Sequence, residues 1–243
     1  MGRLSEKALN YQHLALIYDA LMGDLEGVRR YAHMLKSVIS GKHVLDLACG
    51  TGDLTMLLSE MGYKMTGLDL SEQMLEIAKS KDQKDRIRFV HGDMLNLNLG
   101  ELFDSIVCAN DSVNYCSSLT QVNLLFEGVN RHLSIGGVFV FDYHQISRLK
   151  EFEEPFDEEG VLGDIGYWWH IESEPPRLTH TVTIYGSNYP VTETHQQYVF
   201  ELNDLQKLLC DNGFRWEMIE PSDYDNLYLD EKWMIKAIKE KSV

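Results

Sequence analysis

The sequence predicts an α/β fold in which a doubly wound, mostly parallel sheet of seven strands carries helices on both faces. Short apolar runs alternate with stretches of helical periodicity over the first 145 residues. The same pattern returns after residue 200, and three period-two stretches between these parts predict a small antiparallel sheet. The fold class therefore includes an antiparallel β-sheet insertion.

Two helices are predicted before the first strand, at 10–22 and 28–39, because apolar residues recur there every three or four positions. Gly41 follows the second helix as its C-cap. The apolar run 44–48 is the first strand, and a helix follows at 53–61.

The alternation continues with helices that begin at recognisable capping residues. Ser71 is a good N-cap, and Ser118 with Gln121 is typical of a capping box that opens another helix. The helix that follows Ser71 is predicted at 72–80. The remaining strands of this half are predicted at 65–70, 87–91, 105–109 and 138–143.

The pattern changes after His144. Residues 150–163 are acidic and are expected to be irregular. The period-two stretches follow at 167–172, 178–185 and 191–200. The turn Gly186-Ser187-Asn188 separates the last two. A helix at 202–211 and strands at 214–219 and 228–239 complete the sheet, and the last strand is expected to be antiparallel. We expect residues 1–148 and 201–243 to form the core and 149–200 to form a lid over the substrate.

Composition restricts the class of protein and its partners. The formal net charge of −16 disfavours a nucleic-acid partner, because such a surface repels phosphate backbones. The opening residues do not resemble a signal peptide, and no apolar run approaches the roughly 18–20 residues of a membrane span. We therefore expect a cytoplasmic protein with no membrane partner. We also expect no metal, because the histidines, cysteines and aspartates do not have the spacing of zinc ligands.

A glycine-rich turn after the first strand is the strongest functional signal. Gly50 and Gly52 allow the backbone to turn sharply and approach a ligand, and Asp69 ends the next strand, where a carboxylate can bind ribose hydroxyls. Thr55 replaces the third glycine of a dinucleotide fingerprint. Asp46 adds a carboxylate suited to a cationic ligand, so S-adenosylmethionine fits this turn better than a dinucleotide does.

Several motifs resemble those of one family. The runs VLDLACGTGDLT (44–55), GLDLSEQMLEIAK (67–79), FVHGDM (89–94) and FDSIVCANDSVNY (103–115) resemble, in order, motifs of the class I S-adenosylmethionine-dependent methyltransferases, and 136–144 resembles their fifth strand. The resemblance covers roughly 10–145 and 200–219. It implies a Rossmann-like core, S-adenosylmethionine as cofactor and S-adenosylhomocysteine as product. The insertion suggests the bacterial small-molecule type.

The resemblance and the strand ends together suggest a cofactor site. Asp69 is expected to anchor the ribose, Asp93 and Met94 to meet the adenine, and Asn110 to hold the methionine part. The alternative for each is helix capping or core packing. The full set of cofactor candidates is Tyr11, Tyr18, Asp46, Ala48, Cys49, Gly50, Gly52, Asp69, Leu70, Met74, Asp93, Met94 and Asn110.

Candidates for the acceptor side are His144, His195 and Asp111. Methyl transfer from a sulfonium needs mainly alignment and desolvation, and a base is needed only when the nucleophile is protonated. We expect transfer to an oxygen or nitrogen of a small molecule by a monomer or homodimer. A non-catalytic cofactor-binding scaffold and, less favoured, an NAD-dependent oxidoreductase stay open as alternatives.

Overall fold

A computed structural model describes residues 14–186, 189–219 and 231–242. Tyr11, the first residues of the predicted helix 10–22, part of the 186–188 turn and the start of the predicted strand 228–239 lie outside them. The helices are α1 (Ala15–Met22), α2 (Leu25–Val38), α3 (Asp53–Glu60), α4 (Glu72–Lys81), α5 (Leu119–His132), α6 (Ser147–Glu151) and α7 (Leu202–Asp211).

Seven strands form the main sheet, as the sequence predicts. They are β1 (His43–Leu47), β2 (Lys64–Asp69), β3 (Arg88–His91), β4 (Phe103–Cys108), β5 (Leu133–His144), β10 (Phe214–Met218) and β11 (Lys232–Lys239). Their order is β10-β11-β5-β4-β1-β2-β3, and β11 is antiparallel to both of its neighbours. The order reverses between β1 and β4, which is where a doubly wound sheet opens a crevice for ligands.

Helices cover the two faces of this sheet. Apolar residues of α5 and α7 pack on one face, and those of α2 and α3 pack on the other. Phe139 and Phe141 of β5 stack with their ring centroids 4.8 Å apart, and Phe126 of α5 packs against both. Each fully buried side chain of this kind contributes about 1.5–3 kcal/mol. The core therefore fixes β5 and the residues at its carboxyl end.

The inserted sheet has four strands, one more than the sequence predicts. They are β6 (Phe156–Leu162), β7 (Ile165–Glu174), β8 (Arg177–Gly186) and β9 (Tyr189–Tyr198), all antiparallel and in chain order. The expectation that 150–163 is irregular is wrong for α6 and β6. Strand β6 is an exposed, acidic edge strand that pairs through its backbone with β7, so its side chains give no period-two signal.

The insertion is joined to the core at specific contacts. Ile171 and Leu178 of the inserted sheet pack in the same cluster as the core phenylalanines. The Asn114 side-chain amide and the Tyr143 hydroxyl each donate to the carbonyl of Tyr198, at 3.0 Å. These contacts hold the end of β9 beside the carboxyl ends of β4 and β5.

Three capping predictions can be compared with the structure. The prediction that Gly41 is the C-cap of the second helix is wrong, because α2 ends at Val38 and its C-cap is Ile39. Ser71 accepts the amide hydrogen of Met74, as predicted for an N-cap. Ser118 accepts the amide hydrogen of Gln121, whereas the Gln121 side chain accepts from the amide of Ser117 and so closes the box one residue early. Among the described residues, no helix has the length and apolar character needed to cross a bilayer.

Candidate active site

A cavity of about 920 Å³ lies between the carboxyl ends of the parallel strands, helix α1 and the inserted sheet. It brings together most of the residues that the sequence predicts for the site. Those that line it are Tyr18, Ala48, Cys49, Gly50, Asp69, Leu70, Met74, Asp93, Met94, Asn110, Asp111, His144 and His195. Asp46 and Gly52 lie behind this lining, and Tyr11 is outside the described residues.

The glycine-rich loop turns through left-handed backbone conformations. Ala48, Gly50 and Gly52 have φ of 56°, 55° and 81°. A Cβ on Gly50 would meet no atom within 4 Å, so the loop backbone is open at that point, whereas a Cβ on Gly52 would come within 3.0 Å of the Ala78 side chain. Gly52 thus lets α3 and α4 approach, and Gly50 leaves space beside the cavity.

Asp46 is buried beneath the loop. The Thr55 hydroxyl donates to its carboxylate at 2.6 Å, and both side chains are almost fully buried. The pKa of Asp46 is raised to about 7, because burial, and to a smaller extent the nearby Asp69, raise it by more than the Thr55 hydrogen bond lowers it. Thr55, which breaks the dinucleotide fingerprint, is therefore the partner of this carboxylate.

Asp69 ends β2 with both carboxylate oxygens engaged. The backbone amides of Gly50 and Ser71 each donate to it at 2.8 Å. Burial raises its pKa, while the hydrogen bonds from Ser71 and Gly50 oppose that shift. These bonds fix the carboxylate beside the glycine loop, and its remaining lone pairs can accept hydroxyl donors.

Four residues form the part of the cavity nearest β3. Asp93 accepts the amide hydrogen of Leu95 at 2.8 Å and caps a short 3-10 turn that begins at Met94. Met74 is buried in α4, and Leu70 lies at the end of β2. An apolar slot with one exposed acid at its edge can hold a flat polar ring.

Helix α1 covers the opposite side. Asp19 accepts the hydroxyl of Thr51 at 2.6 Å and pairs at 2.6 Å with Lys81, which also pairs with Asp53. Burial, and next the carboxylate of Asp111, raise the pKa of Tyr18 to about 12. The Tyr18 phenol therefore stays protonated at neutral pH, and α1 is tied to the glycine loop.

The end of β4 carries two consecutive left-handed residues, Asn110 and Asp111, with φ of 57° and 58°. The Asp111 amide donates to the buried Asp142 carboxylate at 3.1 Å. Lys232, on β11, pairs with Asp111 at 2.9 Å and with Asp142 at 3.4 Å, and the hydroxyl of Tyr31 also donates to Asp142. A lysine flanked by two carboxylates is thus part of the cavity wall.

His144 lies next to this group at the end of β5. Its Nε2 is 3.1 Å from the Gln197 side-chain oxygen and 3.6 Å from the Asp111 carboxylate, and its backbone amide donates to Asn114. Burial, followed by the positive charges of Lys232 and Arg148, lowers the pKa of His144 to about 4. The imidazole is therefore neutral at pH 7.

The inner face of the inserted sheet completes the cavity. His195 on β9 lies 3.6 Å from Glu193, two residues earlier on the same face, and opposite His180 of β8. Burial lowers the pKa of His180 to about 4. Polar atoms of His144, His180, Asp111 and Trp169 are buried at this cavity without a hydrogen-bond partner among the described residues. Such atoms suit a polar ligand.

The amino-acid sequence is similar to those of known proteins. A family model described as a methyltransferase domain matches residues 44–137. A Bacillus subtilis protein that is named as a methyltransferase, YqeM, is 30% identical over 245 residues, which cover 96% of this chain and 98% of that protein. The chain belongs to the methyltransferase family.

Solved structures share the architecture of this methyltransferase. An S-adenosylmethionine-dependent methyltransferase from Clostridium acetobutylicum has a TM-score of 0.78 at 24% identity, covering 95% of this chain and 99% of that one. The sugar N-methyltransferase KedS8 from a Streptoalloteichus species has a TM-score of 0.73 at 19% identity, with 93% and 92% covered. Both likenesses concern the fold, including the insertion.

The cavity of this methyltransferase is acidic. Its lining includes seven aspartates but only two basic side chains, Lys232 and Arg148, within the described part of the chain. That balance fits a ligand with a sulfonium and an ammonium group and opposes a pyrophosphate. No cluster of three metal-binding side chains occurs among the described residues.

Sequence reasoning missed several residues of this wall, namely Asp19, Tyr31, Asp142, Gln197 and Lys232. Asp142 is embedded in an apolar strand, and an acid in such a run was the available signal. Lys232 and Gln197 lie on strands remote in sequence from the glycine loop, so only the fold brings them to the site.

Proposed function

We propose that this methyltransferase transfers the methyl group of S-adenosylmethionine to an oxygen or nitrogen atom of a small, polar molecule. The observation that carries the proposal is one cavity that joins the glycine loop and Asp69 at one end to Asp111 and His144 at the other. Its volume of about 920 Å³ is near the upper end of the roughly 300–1,000 Å³ of small-molecule pockets. That size supports occupation by a cofactor and a small acceptor together.

The residues around the glycine loop fit the cofactor. Asp69 would accept the ribose hydroxyls, and the slot of Leu70, Met74 and Met94, with Asp93 at its edge, would hold the adenine. Asn110, Tyr18 and the backbone of Ala48–Gly50 would surround the methionine part. When bound, the cofactor supplies an electrophilic methyl group on a good leaving group. Asp46 and Gly52 would act from behind, by supporting the loop.

The residues at the other end suit the acceptor. His144 is neutral at pH 7, its Nε2 contacts Gln197, and its Nδ1 has no partner among the described residues, so Nδ1 can accept a hydrogen bond from a hydroxyl or amine of the acceptor. Asp111 and His195 would orient the acceptor. The main contribution of the protein would be alignment and exclusion of water.

The insertion 149–200 would act as the lid over the acceptor. Leu14, at the N-terminus of α1, packs against Val182 and Ile184 of β8, so α1 and the inserted sheet close on each other above the cavity. A site covered on this side favours small substrates, and the net charge of −16 opposes nucleic acid. We retain a monomer or homodimer as the expected state.

Calorimetric titration with S-adenosylmethionine and S-adenosylhomocysteine tests the cofactor site. We expect micromolar binding by the wild type and at least tenfold weaker binding by Asp69→Ala, a loss of roughly 1.4 kcal/mol or more. Glu76→Ala removes an exposed carboxylate from α4 and is the matched control. Absence of binding by the wild type, or equal effects of both substitutions, would contradict the proposal.

Labelled methyl transfer tests the acceptor. The protein is incubated with labelled cofactor and either the ultrafiltrate or the macromolecular fraction of a cell extract, and label is expected in small molecules only. His144→Ala and His195→Ala should lower turnover while cofactor binding persists. Label in macromolecules would refute the small-molecule proposal, and unchanged turnover in both variants would remove the roles of these histidines.

A further inference from the structure

Lys232 lies opposite His144 in the ladder between β11 and β5, so the two side chains share the face that borders the cavity. Its ammonium group is 2.9 Å from Asp111 and 3.4 Å from Asp142. The positive charge of Lys232 would oppose a cationic ligand in this cavity, so we expect another role for this lysine.

Lys232 and Asp142 hold Asp111 at two points. Its carboxylate pairs with Lys232, and its backbone amide donates to Asp142, which Lys232 also contacts. Asp111 has a left-handed φ of 58°, a conformation that costs a non-glycine residue energy unless its surroundings fix it. Lys232 supplies that restraint.

The same carboxylate oxygen of Asp111 lies 3.6 Å from Nε2 of His144. Lys232 and His144 therefore compete for Asp111, and the shorter distance belongs to Lys232. Without the ammonium, Asp111 and Asp142 would be two uncompensated carboxylates beside the imidazole and would favour its protonated form. The other groups that face His144 are Arg148 of α6 and the inserted-sheet residues Gln197, His180 and His195.

We propose that Lys232 is a positioning residue for methyl transfer, which holds the Asp111 carboxylate away from His144 and so keeps the His144 imidazole in contact with Gln197. The inference rests on the proposed function, because it assigns His144 a contact with the methyl acceptor. Lys232 touches neither reactant in this role. It acts through Asp111, from a strand about 120 residues further along the chain.

Nuclear magnetic resonance titration of histidine-labelled protein tests the proposal without an acceptor. The His144→Gln variant identifies the His144 signal, because that signal disappears from its spectrum. Lys232→Met is then compared with the control Lys236→Met. Lys236 lies on the same strand as Lys232 but pairs with Glu217. We expect Lys232→Met to raise the pKa of His144 by roughly one to two units. Lys236→Met should leave it unchanged, and Lys232→Arg should keep it near the wild-type value.

Two further measurements separate the possible failures. If Lys232→Met does not fold, the double variant Lys232→Met with Asp142→Asn replaces it, because the double variant removes one buried charge of each sign. The pKa of His144 should also be raised in this double variant. Cofactor binding should change less than threefold in Lys232→Met. An unchanged His144 titration overturns the positioning role, whereas a strong loss of cofactor binding would make Lys232 a cofactor ligand instead. Failure of the wild type to bind the cofactor overturns the proposed function independently.

Discussion

Replacing Asp46 with asparagine is expected to stabilise the protein at alkaline pH and to change its dependence on pH. Asparagine is nearly isosteric, and its side-chain oxygen can still accept the Thr55 hydroxyl. It cannot ionise, so it removes the cost of burying a charge that, among the described residues, has one hydrogen-bond donor and no cation beside it.

The size of the effect follows from the pKa of Asp46. Burial raises it from 3.8 to about 7 in the folded protein. Stability from the protonated carboxyl is fully present below pH 3.8 and is lost as the pH rises through 7. The whole loss is about 4 kcal/mol, and about 3 kcal/mol of it falls between pH 5 and pH 8.

Urea unfolding of wild type and Asp46→Asn at both pH values measures this directly. The free energy of unfolding of the variant, relative to wild type, should rise by about 3 kcal/mol from pH 5 to pH 8. Asp104→Asn is the control, because hydrogen bonds from two backbone amides lower the pKa of Asp104, so its effect should be flat over that window. A flat difference for Asp46→Asn as well would refute the reasoning.

Three other substitutions have expected outcomes. Gly52→Ala should cost at least about 1 kcal/mol more in urea unfolding than Gly100→Ala, since both have positive φ but only the Gly52 site is crowded. Asn114→Ala should cost about 1–3 kcal/mol, because its side chain bridges β9 and β5, and equal stability to wild type would contradict this. Lys81→Met should speed cofactor dissociation a few fold in stopped flow, since its partly exposed pairs are worth about 1 kcal/mol or less. An unchanged rate would show that they do not hold α1 closed.

The strands and helices of the core could be predicted because each one repeats its own apolar pattern. Helix α7 begins and ends at the predicted residues, since its apolar face is complete within ten residues. Strand β6 could not be predicted, because it is formed by backbone hydrogen bonds to its neighbour β7 and not by an alternation of apolar side chains. Local pattern carries no information on that partner.

The candidate site was predicted where it follows a strand directly. Asp69, Asp93, Asn110 and His144 each follow or end an apolar run, and the parallel sheet brings such ends to one edge. The sequence also predicted Asp46 as a charged ligand contact. The structure instead places it beneath the loop with a pKa of about 7, because the depth of a side chain depends on what packs over it.

By itself, the sequence determined the order of the core strands and of the helices that cover them, the glycine loop and the family, since these depend on neighbouring residues and periodicity. Only the tertiary structure decided the charges at the end of the cavity that carries Asp111 and His144. Lys232 meets Asp111 because β11 runs antiparallel beside β5, and Gln197 meets His144 because the inserted sheet folds back over the strand ends. Ionisation depends on burial and on charges a few ångströms away, and chain folding sets both.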